Sequence, residues 1–232
     1  MVKLSTQLSG AKGFDYSDAP QRSPEWLAIR AIRIGASEIG DYIAKGVKGQ
    51  YLAGRKNIEK KIAFSKAFGV PFEKFVNGAM QAGIDNEDFV ADQYSSQMGV
   101  VLEKVGCSYN SWLVASPDRL IVGQNGGVEI KWLFDTEWSE VVLNQKAKDE
   151  HYDQMQTQML ATGWDFVDYC AANGNTGRFI VLRVMRNNDR IAEIEAEGES
   201  VIAIEPMKME NIFEFSTQLP VIEQSNNKVW ED

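Results

Sequence analysis

The alternation of apolar and polar residues predicts a sheet in the middle of the chain. Two apolar runs flank Gln124-Asn125-Gly126, and Asn-Gly between such runs is a strong short-range hairpin signal. A second hairpin is predicted around the turn residues 173–177, where the flanking segments also alternate. The predicted strands are residues 100–105, 112–115, 119–123, 127–133, 165–172 and 178–186.

Helical spacing of apolar residues occurs on both sides of these strands. Ser23-Pro24-Glu25 predicts a helix start with an N-cap, a proline at the first helical position and an acid in the first turn. Trp26 and Ile29 are expected to face the core. Further helices are predicted at residues 38–44, 57–68, 71–98, 137–143, 150–162 and 189–215, with breaks at Asn77-Gly78, Gly83 and Pro206.

These elements predict one α/β (α+β) domain over residues 1–232, with a central mixed sheet of about five strands flanked by helices. Residues 1–20 are polar and lack a clear period, so they are expected to form an irregular arm. Residues 216–232 are expected to form a loose tail.

Composition excludes several classes of protein. The chain is 44% hydrophobic and 25% charged, as in ordinary globular domains, and it contains no run of 18 apolar residues. Its N-terminus lacks the apolar segment of a signal peptide, so a cytosolic location is expected. Two cysteines outside any C-x-x-C pair argue against a disulfide framework, a zinc ribbon and an iron-sulfur cluster.

The single histidine, His151, narrows the chemistry further. Zinc sites with two or three histidines, H-E-x-x-H proteases and Ser-His-Asp hydrolases all need histidines that this chain lacks. The chain also has no G-x-G-x-x-G loop and no P-loop lysine motif, which argues against nucleotide hydrolysis. Metal chemistry here must use oxygen ligands, which suit Mg²⁺ or Mn²⁺.

A net charge of −9 argues at first against nucleic acid as a partner. The charge is unevenly distributed, however. Residues 1–76 carry 13 basic and 7 acidic side chains, whereas residues 77–232 carry 11 and 26. The basic segment is interpreted either as a solvated helix or as a DNA-facing arm.

The strongest chemical signal is Ser116-Pro117-Asp118, followed after ten residues by Glu129-Ile130-Lys131. Side chains alternate along a strand, so Glu129 and Lys131 share a face. This arrangement can gather two metal-binding carboxylates and an ammonium group to hydrolyse a phosphodiester. Asp118 and Glu129 would bind the metal, with the Ile130 carbonyl as a possible third ligand.

The role of Lys131 is open between orienting the water, deprotonating it and stabilising the pentacoordinate charge. The alternative is a hairpin with ordinary surface acids, because such short patterns also recur by chance.

The hairpin register carries one difficulty. If Asn125-Gly126 is a two-residue loop, Val122 lies opposite Glu129, which puts Asp118 on the correct face but several residues away. A bulge at Gly126-Gly127 or a bend at Pro117 is therefore expected to close the gap.

Two other groups of polar residues are candidates for binding. Ser37 is expected to cap the helix at residues 38–44, and with Arg30 beside it the helix start would form a phosphate pocket. A simple cap is the competing interpretation. His151, Gln154 and Gln158 form a polar line on the helix at residues 150–162, which would border the acidic cluster if that helix packs across the hairpin.

With these segments placed, the chain resembles the phage lambda exonuclease family, also called the YqaJ-type viral recombinases, within the PD-(D/E)xK nucleases. The resemblance runs from Trp26 to about Asn173. It rests on five ordered blocks: Trp26 through Arg30 to Ala36-Ser37-Glu38, Gly83 to Glu87, Ser116-Pro117-Asp118, Glu129-Ile130-Lys131, and Gln154-Met155-Gln156 through Thr162. The resemblance implies a restriction-endonuclease-like core.

The resemblance also implies roles for individual residues. Asp118, Glu129 and the Ile130 carbonyl would bind metal, Glu87 would help to hold a second ion, and Lys131 would be the catalytic lysine. The 5′-phosphate of the cut strand would be bound by Arg30, Ser37, Ser116 and Gln154. Gln156 would sit near the metal site, with Gln154, Gln156 and Gln158 as alternative registers.

Family members degrade one strand of duplex DNA from the 5′ end and leave a 3′ overhang for an annealing protein. The resemblance therefore implies a Mg²⁺-dependent exonuclease, with Mn²⁺ as a substitute and two ions per site. It further implies a homotrimeric ring threaded by DNA, a phage single-strand annealing protein as partner, and the cytoplasm of a bacterial host. Only the channel of such a ring needs to be basic.

Two alternatives stay open at this point. A structure-selective or restriction-like endonuclease would keep the metal centre but would not need the pocket of Arg30, Ser37, Ser116 and Gln154. A non-catalytic DNA-end-binding module would not need Asp118, Glu129 and Lys131 together.

Overall fold

The computed structural model describes residues 11–72 and 77–208. The strands in these ranges are β1 (Asp15–Ser17), β2 (Ile34–Gly35), β3 (Leu102–Glu103), β4 (Cys107–Tyr109), β5 (Leu113–Ala115), β6 (Arg119–Ile121), β7 (Gly126–Leu133), β8 (Phe166–Asn173) and β9 (Phe179–Met185). The α-helices are α1 (Pro24–Ala31), α2 (Ile39–Ile43), α3 (Ala53–Phe68), α4 (Gly78–Met98), α5 (Asp135–Asn144), α6 (Asp149–Thr162) and α7 (Asn188–Gly198). Two 3₁₀ helices span Ala36–Glu38 and Glu199–Ala203.

The main sheet has five strands in the order β3-β6-β7-β8-β9. Strands β7 and β8 are parallel and joined by α5 and α6, whereas the other neighbouring pairs are antiparallel. The predicted mixed sheet of about five strands flanked by helices is therefore confirmed. All eight residues of β8 are buried, as expected for a strand covered on both faces.

A second sheet of four short strands, in the order β1-β4-β5-β2, was not predicted, although its strand β5 lies within the strand predicted at residues 112–115. Its first strand, Asp15–Ser17, lies in the segment that was expected to be an irregular arm, so that expectation is wrong for these residues. Three residues are too few to show a hydrophobic period, and the strand is specified by antiparallel pairing with β4. Residues 1–10 and the predicted tail at 216–232 lie outside the described ranges.

Most predicted helices are present, with different ends. The Ser23 side chain accepts a hydrogen bond from the Trp26 N–H at 3.2 Å and Pro24 occupies the first turn, as predicted. The predicted break at Gly83 is wrong, because α4 runs without interruption from the Asn77 cap to Gly99. A Cβ at Gly83 would lie 3.6 Å from the Trp132 Cβ, which is ordinary van der Waals contact, so α4 packs against β7 at this position.

The C-terminal helical prediction is too long. The α-helix ends at Gly198, and after the 3₁₀ turn residues 204–208 are not helical. The remainder of the predicted segment, residues 209–215, lies outside the described ranges. No helix within the described part of the chain is long and apolar enough to cross a membrane.

The two faces of the main sheet carry different neighbours. Val128 and Ile130 of β7 pack into a cluster that contains Val90 and Tyr94 of α4. The opposite face packs on α6 through a larger cluster that includes Met155 and Met159. The strand alternation predicted for β7 is confirmed, and Glu129 is left pointing toward α6.

Candidate active site

The hairpin register brings the two central carboxylates together. Arg119 pairs with Val128 and Leu120 pairs with Gly127, so one more step of the ladder places Asp118 opposite Glu129. The Asp118 Oδ2 atom also accepts a hydrogen bond from the Ile130 N–H at 2.7 Å. The expected pairing of Val122 with Glu129 is wrong, and neither a bulge nor a bend is needed.

The reason for the difference is the turn. The chain reverses over residues 122–125, with Gly123 in the left-handed conformation at φ +80°, so Gly126 already belongs to β7. The shift of the pairing is an even number of residues. It therefore preserves which face each side chain occupies and removes the gap.

Glu129 is 2% exposed and held by the polar face of α6. Its Oε1 atom accepts hydrogen bonds from Gln154 Nε2 at 2.6 Å and Lys131 Nζ at 2.7 Å. Its Oε2 atom accepts one from Gln158 Nε2 at 2.6 Å. Lys131 Nζ also donates to Gln154 Oε1 at 2.9 Å. Helix α6 thus packs across the hairpin, and its predicted polar line borders the acidic pair.

Gln156 does not join this cluster, which corrects the expectation that it lies near the metal site. Its Nε2 atom donates to the Met185 carbonyl at 2.9 Å, and its Oε1 atom accepts from the Asn187 N–H at 2.8 Å. A residue two positions from Gln154 on a helix points to a different face, and here that face meets the end of β9. Gln154 and Gln158 are the residues that contact Glu129.

The electrostatics of the Asp118–Glu129 pair favour the binding of a cation. Burial, together with the neighbouring charges of Glu129 and Glu87, raises the pKa of Asp118 well above its ordinary value. Burial acts to lower the pKa of Lys131, but the attraction of Glu129 and Asp118 outweighs it and raises that pKa. The Lys131 ammonium group thus faces the buried Glu129 carboxylate and the partly buried Asp118 carboxylate, and the charge of Glu87 also acts on Asp118.

Asp118, Glu129 and the backbone at Ile130 fit a divalent ion in part. Their oxygen donors are the type that Mg²⁺ and Mn²⁺ prefer, and the raised pKa of Asp118 reports negative charge that an ion would neutralise. No group of three or more His, Cys, Asp or Glu side chains within residues 11–72 and 77–208 surrounds a common metal position. Glu87 forms an ion pair with Arg119 at 2.6 Å.

Arg30 and Ser116 are joined through a tryptophan. The Arg30 guanidinium lies over the Trp26 ring, 4.6 Å from its centroid, and Trp26 Nε1 donates to Ser116 Oγ at 2.8 Å. Ser116 is two residues from Asp118, so this second cluster adjoins the carboxylate pair. Trp26 is only partly buried, and no residue of α1 is fully buried, so the expected core role of Trp26 and Ile29 is not found.

Ser37 does not cap a helix, which corrects that prediction. It is exposed in the middle of the 3₁₀ turn at Ala36–Glu38, and α2 begins only at Ile39. The Glu38 Oε2 atom instead accepts from the Gly35 N–H at 2.9 Å and from Lys61 Nζ at 2.6 Å. A Cβ at Gly35 would lie 2.5 Å from Arg30 Nη2, so the glycine leaves space for that guanidinium.

A family model describes much of this chain. Residues 25–165 match the YqaJ-like viral recombinase domain, and this range includes α1, the carboxylate pair and α6. The chain belongs to the YqaJ-like viral recombinase domain family. The resemblance found in the sequence is thereby confirmed. No match is found among curated proteins.

Solved structures agree with the family assignment. The YqaJ-like domain is similar to the alkaline exonuclease LHK-Exo from Laribacter hongkongensis, with 28% identity over 78% of this chain and 91% of that chain and a TM-score of 0.69. A structure of LHK-Exo in complex with dAMP matches equally well. A phage related exonuclease from Haemophilus somnus 129PT, at 14% identity, covers 77% of this chain and 95% of that chain with a TM-score of 0.62, and it supports the fold alone.

Arg119 is the residue of this YqaJ-like domain that sequence reasoning missed. It is 4% exposed, and its Nη1 atom donates to Glu87 Oε1 and to the Asp118 carbonyl, both at 2.6 Å. The signal was available in the sequence, since an arginine in an otherwise apolar strand must have acidic partners when it is buried. The sequence does not say which acids these are.

His151, the first residue of the polar line, supports a prediction about pH. Its Nδ1 atom lies 2.7 Å from the Tyr169 hydroxyl oxygen. Burial, with the positive charges of Lys131 and Lys148, lowers the pKa of His151 from 6.5 to about 3. Below pH 6.5 the histidine of the unfolded chain binds a proton, whereas His151 of the folded chain stays neutral down to about pH 3. His151 therefore lowers the free energy of unfolding by about 2 kcal/mol between pH 8 and pH 5. Urea unfolding at both pH values measures this loss.

The control is His151→Gln, which keeps a polar group near Tyr169 and does not titrate. It should show a loss smaller by about 2 kcal/mol, while carboxylate contributions remain equal in both proteins. Equal losses in the two proteins would show that His151 accepts its proton freely in the folded state.

Proposed function

We propose that this YqaJ-like domain is a Mg²⁺-dependent 5′→3′ exonuclease for double-stranded DNA that leaves 3′ single-stranded overhangs for phage homologous recombination by single-strand annealing. Its family and the alkaline exonuclease to which it is similar support a phage-type nuclease. The observation that carries the proposal is the pairing of Asp118 with Glu129, next to Lys131 and two residues from Ser116.

The carboxylate pair accounts for hydrolysis. When bound by Asp118, Glu129 and the Ile130 carbonyl, Mg²⁺ or Mn²⁺ would neutralise the phosphoryl oxygens and make hydroxide available near neutral pH. Gln154 and Gln158 bind one oxygen each of Glu129, which fixes the orientation of that carboxylate. Lys131 has its ammonium group on the same face and can orient the water or stabilise the charge that develops on phosphorus.

The cluster of Arg30, Trp26 and Ser116 accounts for the proposed 5′→3′ direction of degradation. Within the described ranges its guanidinium stacks on Trp26 and makes no hydrogen bond, so its donors are available to a phosphate. A terminal phosphate carries more negative charge than a diester, so it would bind more tightly to Arg30. The Ser116 hydroxyl group adjoins this site through its hydrogen bond with Trp26. An endonuclease does not need such a phosphate-binding cluster close to its metal-binding carboxylates.

Larger features of the proposal follow from the family resemblance. They are a homotrimeric ring around DNA, a second ion near Glu87 in the complex with DNA, partnership with a phage annealing protein and residence in the bacterial cytoplasm. The excess of basic residues in 1–76 over an acidic remainder is consistent with a basic channel in an otherwise acidic ring. Measurement of the mass in solution tests the trimer.

The central experiment uses linear duplex DNA labelled at the 5′ or the 3′ end, with Mg²⁺ or with EDTA. The 5′ label should be released at once in Mg²⁺, whereas the 3′ label should persist. In EDTA neither label should be released. Covalently closed circular duplex is the control and should stay intact. Degradation of the circle as fast as the linear duplex would favour the endonuclease alternative.

Arg30→Ala should reduce the preference for 5′-phosphorylated over 5′-hydroxyl ends by about tenfold or more. The physical reason is the loss of a charge-assisted hydrogen bond, typically about 1.5–3 kcal/mol. Degradation rates on the two kinds of end measure the preference.

Arg178→Ala removes an exposed arginine at the β8–β9 turn and should keep the wild-type preference. An unchanged preference in Arg30→Ala would show that the phosphate pocket lies elsewhere.

A further inference from the structure

Arg119 is a buried cation placed between the carboxylate pair and α4. Its side chain is 5% exposed, although it follows Asp118 directly. Because side chains alternate along β6, Asp118 points to the face of Glu129, whereas Arg119 points toward α4. Glu87 and Asp88, both on α4, each accept a hydrogen bond from this guanidinium.

We propose that Arg119 is the counter-ion of Glu87 in the protein without DNA, which therefore binds one divalent ion at Asp118 and Glu129 and no second ion at Glu87. This inference rests on the proposed function, because it concerns the ions of the same site. It differs from the two ions per site that the family resemblance implies.

The geometry makes it difficult for a metal ion to replace Arg119 as the partner of Glu87. One nitrogen of Arg119 donates at 2.6 Å both to Glu87 Oε1 and to the Asp118 carbonyl, and the other pairs with Asp88. An ion that took Glu87 from Arg119 would leave a buried guanidinium without that partner and with a new positive charge beside it. The guanidinium therefore supplies the charge compensation that an ion would otherwise supply.

The arrangement of carboxylates agrees with this assignment. Glu87 is near enough for its charge to act on Asp118, yet no three-carboxylate metal position exists in the described ranges. The neighbouring acid, Asp88, is 66% exposed and also pairs with Lys104 at 2.7 Å. Lys104 lies on the outer side of the cluster, which makes it a control for the loss of a cation that does not touch Glu87.

Mn²⁺ binding to the full chain without DNA tests the inference, with electron paramagnetic resonance to count free ions and calorimetry to give the stoichiometry. Wild-type protein, Arg119→Lys and Lys104→Ala should each bind one ion per chain. Arg119→Ala should bind two, because it frees Glu87 beside Asp118. Circular dichroism checks the fold of each variant.

The outcomes separate the inference from the function on which it rests. Two ions in wild-type protein, or a single ion in folded Arg119→Ala, would overturn the inference while leaving metal-dependent hydrolysis intact. No bound ion in wild-type protein would overturn both.

If Arg119→Ala does not fold, Glu87→Gln decides the question, since Glu87 is partly exposed and this change keeps the shape of its side chain. Wild-type protein and Glu87→Gln should each bind one Mn²⁺ per chain because Glu87 is not a ligand, and a lower stoichiometry in Glu87→Gln than in wild-type protein would contradict the assignment.

Discussion

Lys131→Ala is expected to lower the rate of the proposed 5′→3′ degradation by about 10³-fold, within the range found for loss of one catalytic proton-transfer or charge-stabilising group. Lys131 Nζ lies 2.7 Å from Glu129 Oε1 and 2.9 Å from Gln154 Oε1. Its ammonium group is therefore held on the face where the phosphate would be cut. The rate on 5′-phosphorylated linear duplex in Mg²⁺ measures the effect.

Two comparisons distinguish a loss of chemistry from a loss of folding or binding. Lys146→Ala removes a lysine that is 67% exposed and pairs with Asp149, and it should keep the wild-type rate. Affinity for a short 5′-phosphorylated duplex in EDTA should change by less than about tenfold in Lys131→Ala, because Arg30 and Ser116 remain. A rate within tenfold of wild type would exclude a catalytic role for Lys131.

The carboxylate pair shows what an amino-acid sequence can and cannot specify about a site. The faces of Glu129, Lys131 and Asp118 follow from a period of two residues, which is a local property of any strand. Their separation depends on the turn, and the turn depends on Gly123 adopting the left-handed conformation in preference to the more common Asn-Gly loop. The face was predictable, whereas the distance was not.

Contacts between distant residues were beyond prediction for a related reason. Trp26 and Ser116 are 90 positions apart, and Arg119 and Glu87 are 32 apart. Nothing local to either member specifies the other, because both pairings arise when α1 and α4 pack beside the strands. The resemblance to a known family supplied Trp26 and Ser116 as residues of interest, but not the hydrogen bond that joins them.

Short elements were lost for lack of a period. Strands β1, β2 and β4 of the second sheet have only two or three residues each, and none of them was predicted. Segments of this length are specified by pairing and packing with partners far away in the chain. Longer elements such as α6 carry their own apolar stripe and a glycine at the C-terminal end, and these were predictable.

Asp118→Asn is expected to reduce activity by about 10³-fold or more and also to stabilise the metal-free protein. The asparagine side chain can still accept the hydrogen bond from the Ile130 N–H, so the hairpin register is kept. The change removes a charge from a place where burial and the charges of Glu129 and Glu87 already raise the pKa of Asp118. In EDTA at pH 8 the Tm should rise by about 2–4 °C, the shift that 1 kcal/mol produces in a domain of this size.

Mg²⁺ should reverse the order of stability. An ion that binds only the folded state raises the Tm of the wild-type protein with increasing concentration, and a variant without one of the two carboxylates should lose most of that rise. Asp92→Asn, an exposed change on α4, should match the wild-type protein in both conditions. A lower Tm for Asp118→Asn in EDTA would show that the repulsion between carboxylates is not what limits stability. If Mg²⁺ raises the Tm of Asp118→Asn as much as that of the wild-type protein, Asp118 is not a ligand, since neutralising a carboxylate ligand weakens the binding of its ion.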